Sequence, residues 1–156
     1  MNSAIKIVLN QKFIQMETTH FHPMLVHFPI ALLIVGFLFD VVSVFFRKEK
    51  CLSKTGFFLM ILGTIGSVAA YLTGEFFTKE MTGIAGDMKE THELFAKITM
   101  FTMIIASTLR IWIVVLKKTE TFWQWITLAL YFGGMVAVGY TGFLGGKLVY
   151  NVLIGY

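Results

Sequence analysis

The chain has 156 residues, 56% of them hydrophobic and only 14% charged, with a mean hydropathy of +0.75. That composition cannot present the polar surface of a soluble globule, which excludes an ordinary soluble domain. The net charge of +4 needs no nucleic-acid partner, because membrane topology accounts for much of the basic excess.

Residues 1–20 do not read as a secretory signal, since the apolar stretch Ile5 to Leu9 is short and broken by Lys6. Ile5, Leu9, Phe13 and Met16 recur at helical spacing and predict an amphipathic segment on the membrane surface. Residues 21–150 then hold four apolar runs: Phe28 to Phe46, Gly56 to Phe77, Leu94 to Leu116 and Trp123 to Leu144. Each is long enough to cross a hydrocarbon core of about 30 Å, which takes roughly 20 helical residues. The runs lack the apolar/polar alternation of barrel strands. The expected fold is all-α, a single integral membrane four-helix bundle in contact with the lipid bilayer, followed by a short tail at 151–156.

Basic residues orient the bundle. Arg47, Lys48, Lys50 and Lys54 follow the first span, and Lys117 and Lys118 follow the third. The middle loop is acidic, with Glu75, Glu80, Asp87 and Glu90 beside Lys79 and Lys89. The positive-inside rule makes the two basic loops cytoplasmic and both termini periplasmic. All four histidines, His20, His22, His27 and His92, then belong to the outer face. Cys51 is the only cysteine, so an internal disulfide is excluded; it lies in a cytoplasmic loop and receives no role.

A weak internal repeat relates the two halves. Asp40 lies eighteen residues after His22, and Arg110 lies eighteen after His92. The first half ends in Ala-Ala-Tyr-Leu-Thr-Gly (Ala69 to Gly74) and the second in Ala-Val-Gly-Tyr-Thr-Gly (Ala137 to Gly142). Two pseudo-repeated helical hairpins follow, related by an axis along the membrane normal, with His22 facing His92.

Asp40 and Arg110 are the only charges well inside the spans. Intramembrane charges cost about 2.5–3.5 kcal/mol on insertion scales and usually pair inside the bundle. A mutual ion pair serving as a structural clamp is the expectation, with a proton relay as the functional alternative. Gly63, Ser67, Ala70 and Gly74 form one small-residue stripe, and Gly139, Gly142 and Gly146 another. Close helix packing explains both, and a flat macrocycle would also fit against such faces.

The densest motif is His22-Pro23-Met24-Leu25-Val26-His27-Phe28-Pro29. Each proline removes a backbone donor, and His22-Pro23 reads as the start of a helix with proline at its first position. His27 stands about 140° round the helix from His22, so one helical face does not present both. His92 is expected to open the third helix. Neutral imidazole binds iron, zinc and copper. Histidines from two helices of a bundle, among many aromatics, suit a b-type haem carrying electrons between membrane quinol and an outer partner. His92 is the expected ligand from the second half. Symmetry selects His22 as its partner, whereas depth selects His27, which is preferred for haem; His22 is preferred for a small exposed metal ion. The alternatives are a zinc or copper site drawn from the four histidines with Glu75, Asp87 or Glu90, and a cofactor-free membrane subunit that docks another protein through the acidic loop. A homo-oligomer is compatible with either. There is no CxxCH motif for c-type haem, and no nucleophile motif, phosphate loop or nucleotide fingerprint, so a stand-alone enzyme is not the expectation.

The run from His22 to Leu33, the Thr73-Gly74 element, His92, Arg110 and Gly145-Gly146-Lys147-Leu148-Val149-Tyr150 resemble a family of bacterial four-span membrane proteins. That family is known as a domain of unknown function with an HPxxVHFP signature, and the resemblance covers roughly residues 20 to 150. It implies a bacterial inner-membrane location and cytochrome or iron–sulfur partners, and no established reaction. The family often ends in GGxLVYxHGxGV, whereas Tyr150 is followed here by Asn151-Val152-Leu153-Ile154-Gly155-Tyr156. The histidine of that ending is missing from this chain.

Overall fold

A computed structural model describes residues 3–78, 81–117 and 121–150, with helical side chains described from His22 onward except those of Phe77 and Thr121. Four helices follow one another: α1 (Ser3–Phe45), α2 (Lys50–Phe77), α3 (Ile84–Val115) and α4 (Thr121–Leu148). All four contain a stretch long and apolar enough to cross a membrane. The C-terminal tail, and the side chains of Ile5, Leu9, Phe13, Met16 and His20, lie outside the described residues.

The expected helix start at Pro23 is not one. Helix α1 runs unbroken through His22-Pro23 and contains both Pro23 and Pro29. A proline in a helix interior costs about 3 kcal/mol in water, and packing has to offset it. Pro29 is buried, and its ring lies over Gly66 of α2, where a Cβ would already stand only 3.4 Å from it. The third helix likewise begins earlier than the apolar run does. It starts at Ile84, after Gly83 at φ +67°, so His92 lies about two turns inside it.

Helix α1 packs along α2 and α3 along α4, and the two hairpins close the bundle through lighter α2–α3 and α1–α4 contacts. The centre is formed by Leu33 of α1, Met60 of α2, Met103 and Ala106 of α3, and Tyr131 and Val138 of α4. Close approach at this level depends on Gly63: a Cβ there would stand 2.6 Å from the Leu33 side chain. Buried hydroxyls join the hairpins. Thr64 donates to the Met60 carbonyl at 2.8 Å and therefore accepts from Ser107 at 2.7 Å. The outer surface is apolar, with Phe28, Phe58, Phe101 and Phe132 each more than half exposed on a different helix. Large apolar side chains outside and hydroxyls inside are the arrangement that a lipid solvent favours.

Tyr131 is fully buried, and its hydroxyl has no hydrogen-bond partner among the described residues. An unsatisfied buried hydroxyl costs on the order of 1–3 kcal/mol. Tyr131→Phe keeps the ring and its edge-on contact with Phe37, whose centroid lies 5.6 Å away. The substitution is expected to stabilise the purified protein by about 1 kcal/mol. Thermal unfolding in detergent checks this, and a lowered midpoint would show that the hydroxyl makes a bond of its own.

Candidate functional site

The two ends of the bundle are built from the residues that the repeat pairs. At one end His22 of α1 meets His92 of α3, with ring centroids 6.4 Å apart and ring planes perpendicular at 88°. At the other, Asp40 of α1 meets Arg110 of α3, with Nη2 to Oδ1 at 3.0 Å. The equal spacing within the two helices places both meetings on facing sides of α1 and α3.

Each of the two histidines is held by the second helix of its own hairpin. The His22 Nδ1 lies 3.0 Å from Thr73 Oγ1, and that hydroxyl donates to the Ala70 carbonyl at 2.9 Å. Its proton being committed, Thr73 accepts from His22, so the Nδ1 of His22 is the protonated nitrogen. The His92 Nδ1 lies 2.9 Å from the Thr141 carbonyl, which can only accept. The neutral form of each ring therefore carries its free lone pair on Nε2. Thr73 and Thr141 belong to the matching Thr-Gly elements of the two halves, so the repeat extends to the bonds that fix the rings.

Glycines seat both rings. A Cβ on Gly74 would stand 3.0 Å from Cε1 of His22, and one on Gly145 would stand 3.1 Å from Cε1 of His92. The glycines of α2 and α4 are thus divided in use. Gly74 and Gly145 receive imidazoles, Gly63 and Gly142 receive Leu33 and Ile30, and nothing lies within 4 Å of a Cβ placed on Gly139 or Gly146.

His27 is not brought to this pair. It is exposed, and its Nδ1 donates to the Pro23 carbonyl one turn back at 2.7 Å. The five-residue offset from His22 turns it about 140° away, and Pro29 does not correct the angle. Glu75 bonds Tyr71 of its own helix, at 3.3 Å from the Tyr71 hydroxyl. Among the described residues no group of three or more His, Cys, Asp or Glu side chains stands close enough to hold a metal ion. What the structure assembles is a pair of imidazoles from two helices.

At the opposite end Asp40 is buried, and Arg110 reaches it from the far hairpin while also donating to Ser53 at 3.1 Å. Gly56 makes room for the carboxylate: a Cβ there would come within 2.6 Å of Oδ1. The sequence marked Asp40 and Arg110 but not Ser53 or Gly56. Both lie on α2, and nothing in their own neighbourhood singles them out.

Residues 18–156 match the family model described as predicted membrane protein (DUF2231), a domain of unknown function. The chain belongs to that family. It matches no curated protein and no solved structure. Family membership and the four long apolar helices together make it a membrane protein.

Proposed function

We propose that this DUF2231 protein is a bacterial inner-membrane electron-transfer protein, and that His22 and His92 would hold a b-type haem between them. The observation that carries the reading is the shared preparation of the two rings. Both have Nδ1 fixed as a donor and Nε2 without a hydrogen-bond partner among the described residues, which is how metal-ligating histidines are oriented by the groups behind them. The two rings come from different helices and stand close together, with centroids 6.4 Å apart. A pair supplies too few ligands for a closed zinc or copper site of four side chains. It suits a metal whose remaining positions are filled by a macrocycle. Bound there, haem would supply one-electron chemistry at the edge of the apolar layer, and quinol and a periplasmic cytochrome or iron–sulfur protein would be the exchange partners.

The sidedness follows from the basic residues. Arg47, Lys48, Lys50 and Lys54 lie at the Asp40–Arg110 end, as does Lys117, which supports a cytoplasmic side for that end and a periplasmic side for the histidine pair. A reporter active only in the periplasm is expected to be active when inserted at Gly83 and silent at Lys54. The opposite pattern would move the histidine pair to the cytoplasmic side and remove the periplasmic partner.

An absorption spectrum of the detergent-purified protein, with metal analysis, tests the cofactor. A Soret band with split visible bands after reduction is the expected result. Copper or zinc at one ion per chain, without a Soret band, would replace haem by a two-histidine metal site. Protein expressed with ample haem and showing neither would leave the two rings as clamps between helices in a cofactor-free subunit.

A further inference from the structure

The end of the bundle opposite the histidines holds a cavity of about 610 Å³ that the electron-transfer reading does not use. Its volume lies within the roughly 300–1,000 Å³ range of small-molecule sites. Arg47, Lys50, Lys54, Arg110 and Lys117 line it, against two carboxylates, Asp40 and Glu49. Asp40 is neutralised by Arg110 at 3.0 Å, which leaves four cations facing Glu49 alone. Arg47 spends its Nε on the Val44 carbonyl at 3.3 Å, and no carboxylate among the described residues pairs with Arg47, Lys50, Lys54 or Lys117.

The floor also holds a buried guanidinium. Arg110 commits Nη2 to Asp40 and Ser53, but its Nε is buried and has no partner among the described residues. Phe57, Val114 and Leu128 supply apolar walls, and Trp125 stands exposed on the lining. A cationic rim, a buried guanidinium below it and apolar walls beside it match an anion that can carry acyl chains. Basic pockets between transmembrane helices at a cytoplasmic surface are suited to such head groups. A fully soluble peptide would gain nothing from walls of this kind.

We infer that the cavity between the ends of α1, α2, α3 and α4 at the basic side binds a phosphate oxyanion, carried by an anionic phospholipid head group or free as inorganic phosphate. The exposed lysines gather the anion, and Arg110 with the Ser53 hydroxyl forms the polar floor. The inference is independent of the histidine pair, and haem content is read separately by absorbance.

The test uses full-length protein in phosphatidylcholine nanodiscs, with and without phosphatidylglycerol, and native mass spectrometry to count retained lipid. Phosphatidylglycerol is expected to be retained in preference to phosphatidylcholine. Lys50→Gln, Lys54→Gln and Lys117→Gln are each expected to weaken retention about five-fold, as one surface cation is worth about that factor near an anionic lipid. The corresponding Lys→Arg variants should retain it, which separates charge from folding. Saturable binding of inorganic phosphate to the protein in pure phosphatidylcholine, weakened by the same Gln variants, would support the site with free phosphate as its ligand. Equal retention of the two lipids with no phosphate binding overturns the inference. So does a phosphatidylglycerol preference that the three Gln substitutions together leave unchanged.

Discussion

Asp40→Asn is expected to destabilise the bundle by about 3–5 kcal/mol, the loss seen when one member of a buried pair is removed and the other is stranded. Asp40 and Arg110 are buried to 5% and 15% side-chain exposure, and Arg110 would be left with Ser53 as its only hydrogen-bond partner among the described residues. Guanidinium cannot shed its charge in a protein. A carboxylic acid can, so the reverse variant should behave differently. Arg110→Leu strands Asp40, which escapes the penalty by taking up a proton. Its deficit is therefore expected to be the smaller one and to shrink as the pH is lowered, while that of Asp40→Asn is not relieved. The double variant Asp40→Asn/Arg110→Leu removes both charges and should recover much of the stability, as replacement of buried pairs by neutral groups commonly does. Denaturant titration of the four proteins in one detergent measures the cycle. Losses that simply add would mean that the two charges do not stabilise one another, despite the 3.0 Å contact.

The ion pair was legible because charge is rare in these spans. Two residues at equal depth, with no other charge well inside the spans to satisfy them, leave little choice of partner. The four helices were legible for the same kind of reason, since only helices bury their own backbone polar groups through apolar runs of this length. The ends of the helices were not. Proline at 23 and glycine at 83 are local signals, and the first misleads because α1 continues through Pro23 and tolerates the buried Pro29 over Gly66. The identity of the histidine pair was only half legible. Periodicity separates His22 from His27 by angle, but which of them points inward depends on where α2 and α3 lie. Thr73 and Gly74 decide it by holding and seating the His22 ring, and they drew notice in the sequence as a repeated Thr-Gly element without a stated partner. The basic cavity was the least legible feature. Its lysines satisfy the topology rule by themselves, so nothing in the sequence asks for a second use, and Arg110 as its floor emerges only from the packing of the two hairpins.

His22→Ala and His92→Ala are each expected to abolish haem binding, whereas His27→Ala leaves it at the parent level. The contrast follows from position: His22 and His92 face one another with Nε2 unprotonated in the neutral form, and His27 is exposed and tied to its own helix. Two further variants separate a ligand from a structural histidine. Thr73→Val keeps His22 but removes the acceptor that fixes its ring, and loss of such a supporting group costs on the order of 10–100-fold in metal affinity. Gly74→Ala places a methyl group 3.0 Å from Cε1 of His22 and should shift the ring without altering its chemistry. Both are expected to lower haem content while the folded fraction is preserved, and neither should act through His92. Haem per protein, from the reduced-minus-oxidised spectrum against total protein, distinguishes the cases. If His27→Ala empties the protein and His22→Ala does not, α1 presents a different face to α3 when haem is bound, and the ligand pair becomes His27 with His92. If all three histidine variants keep full haem content, the rings are helix clamps and the binding site lies elsewhere.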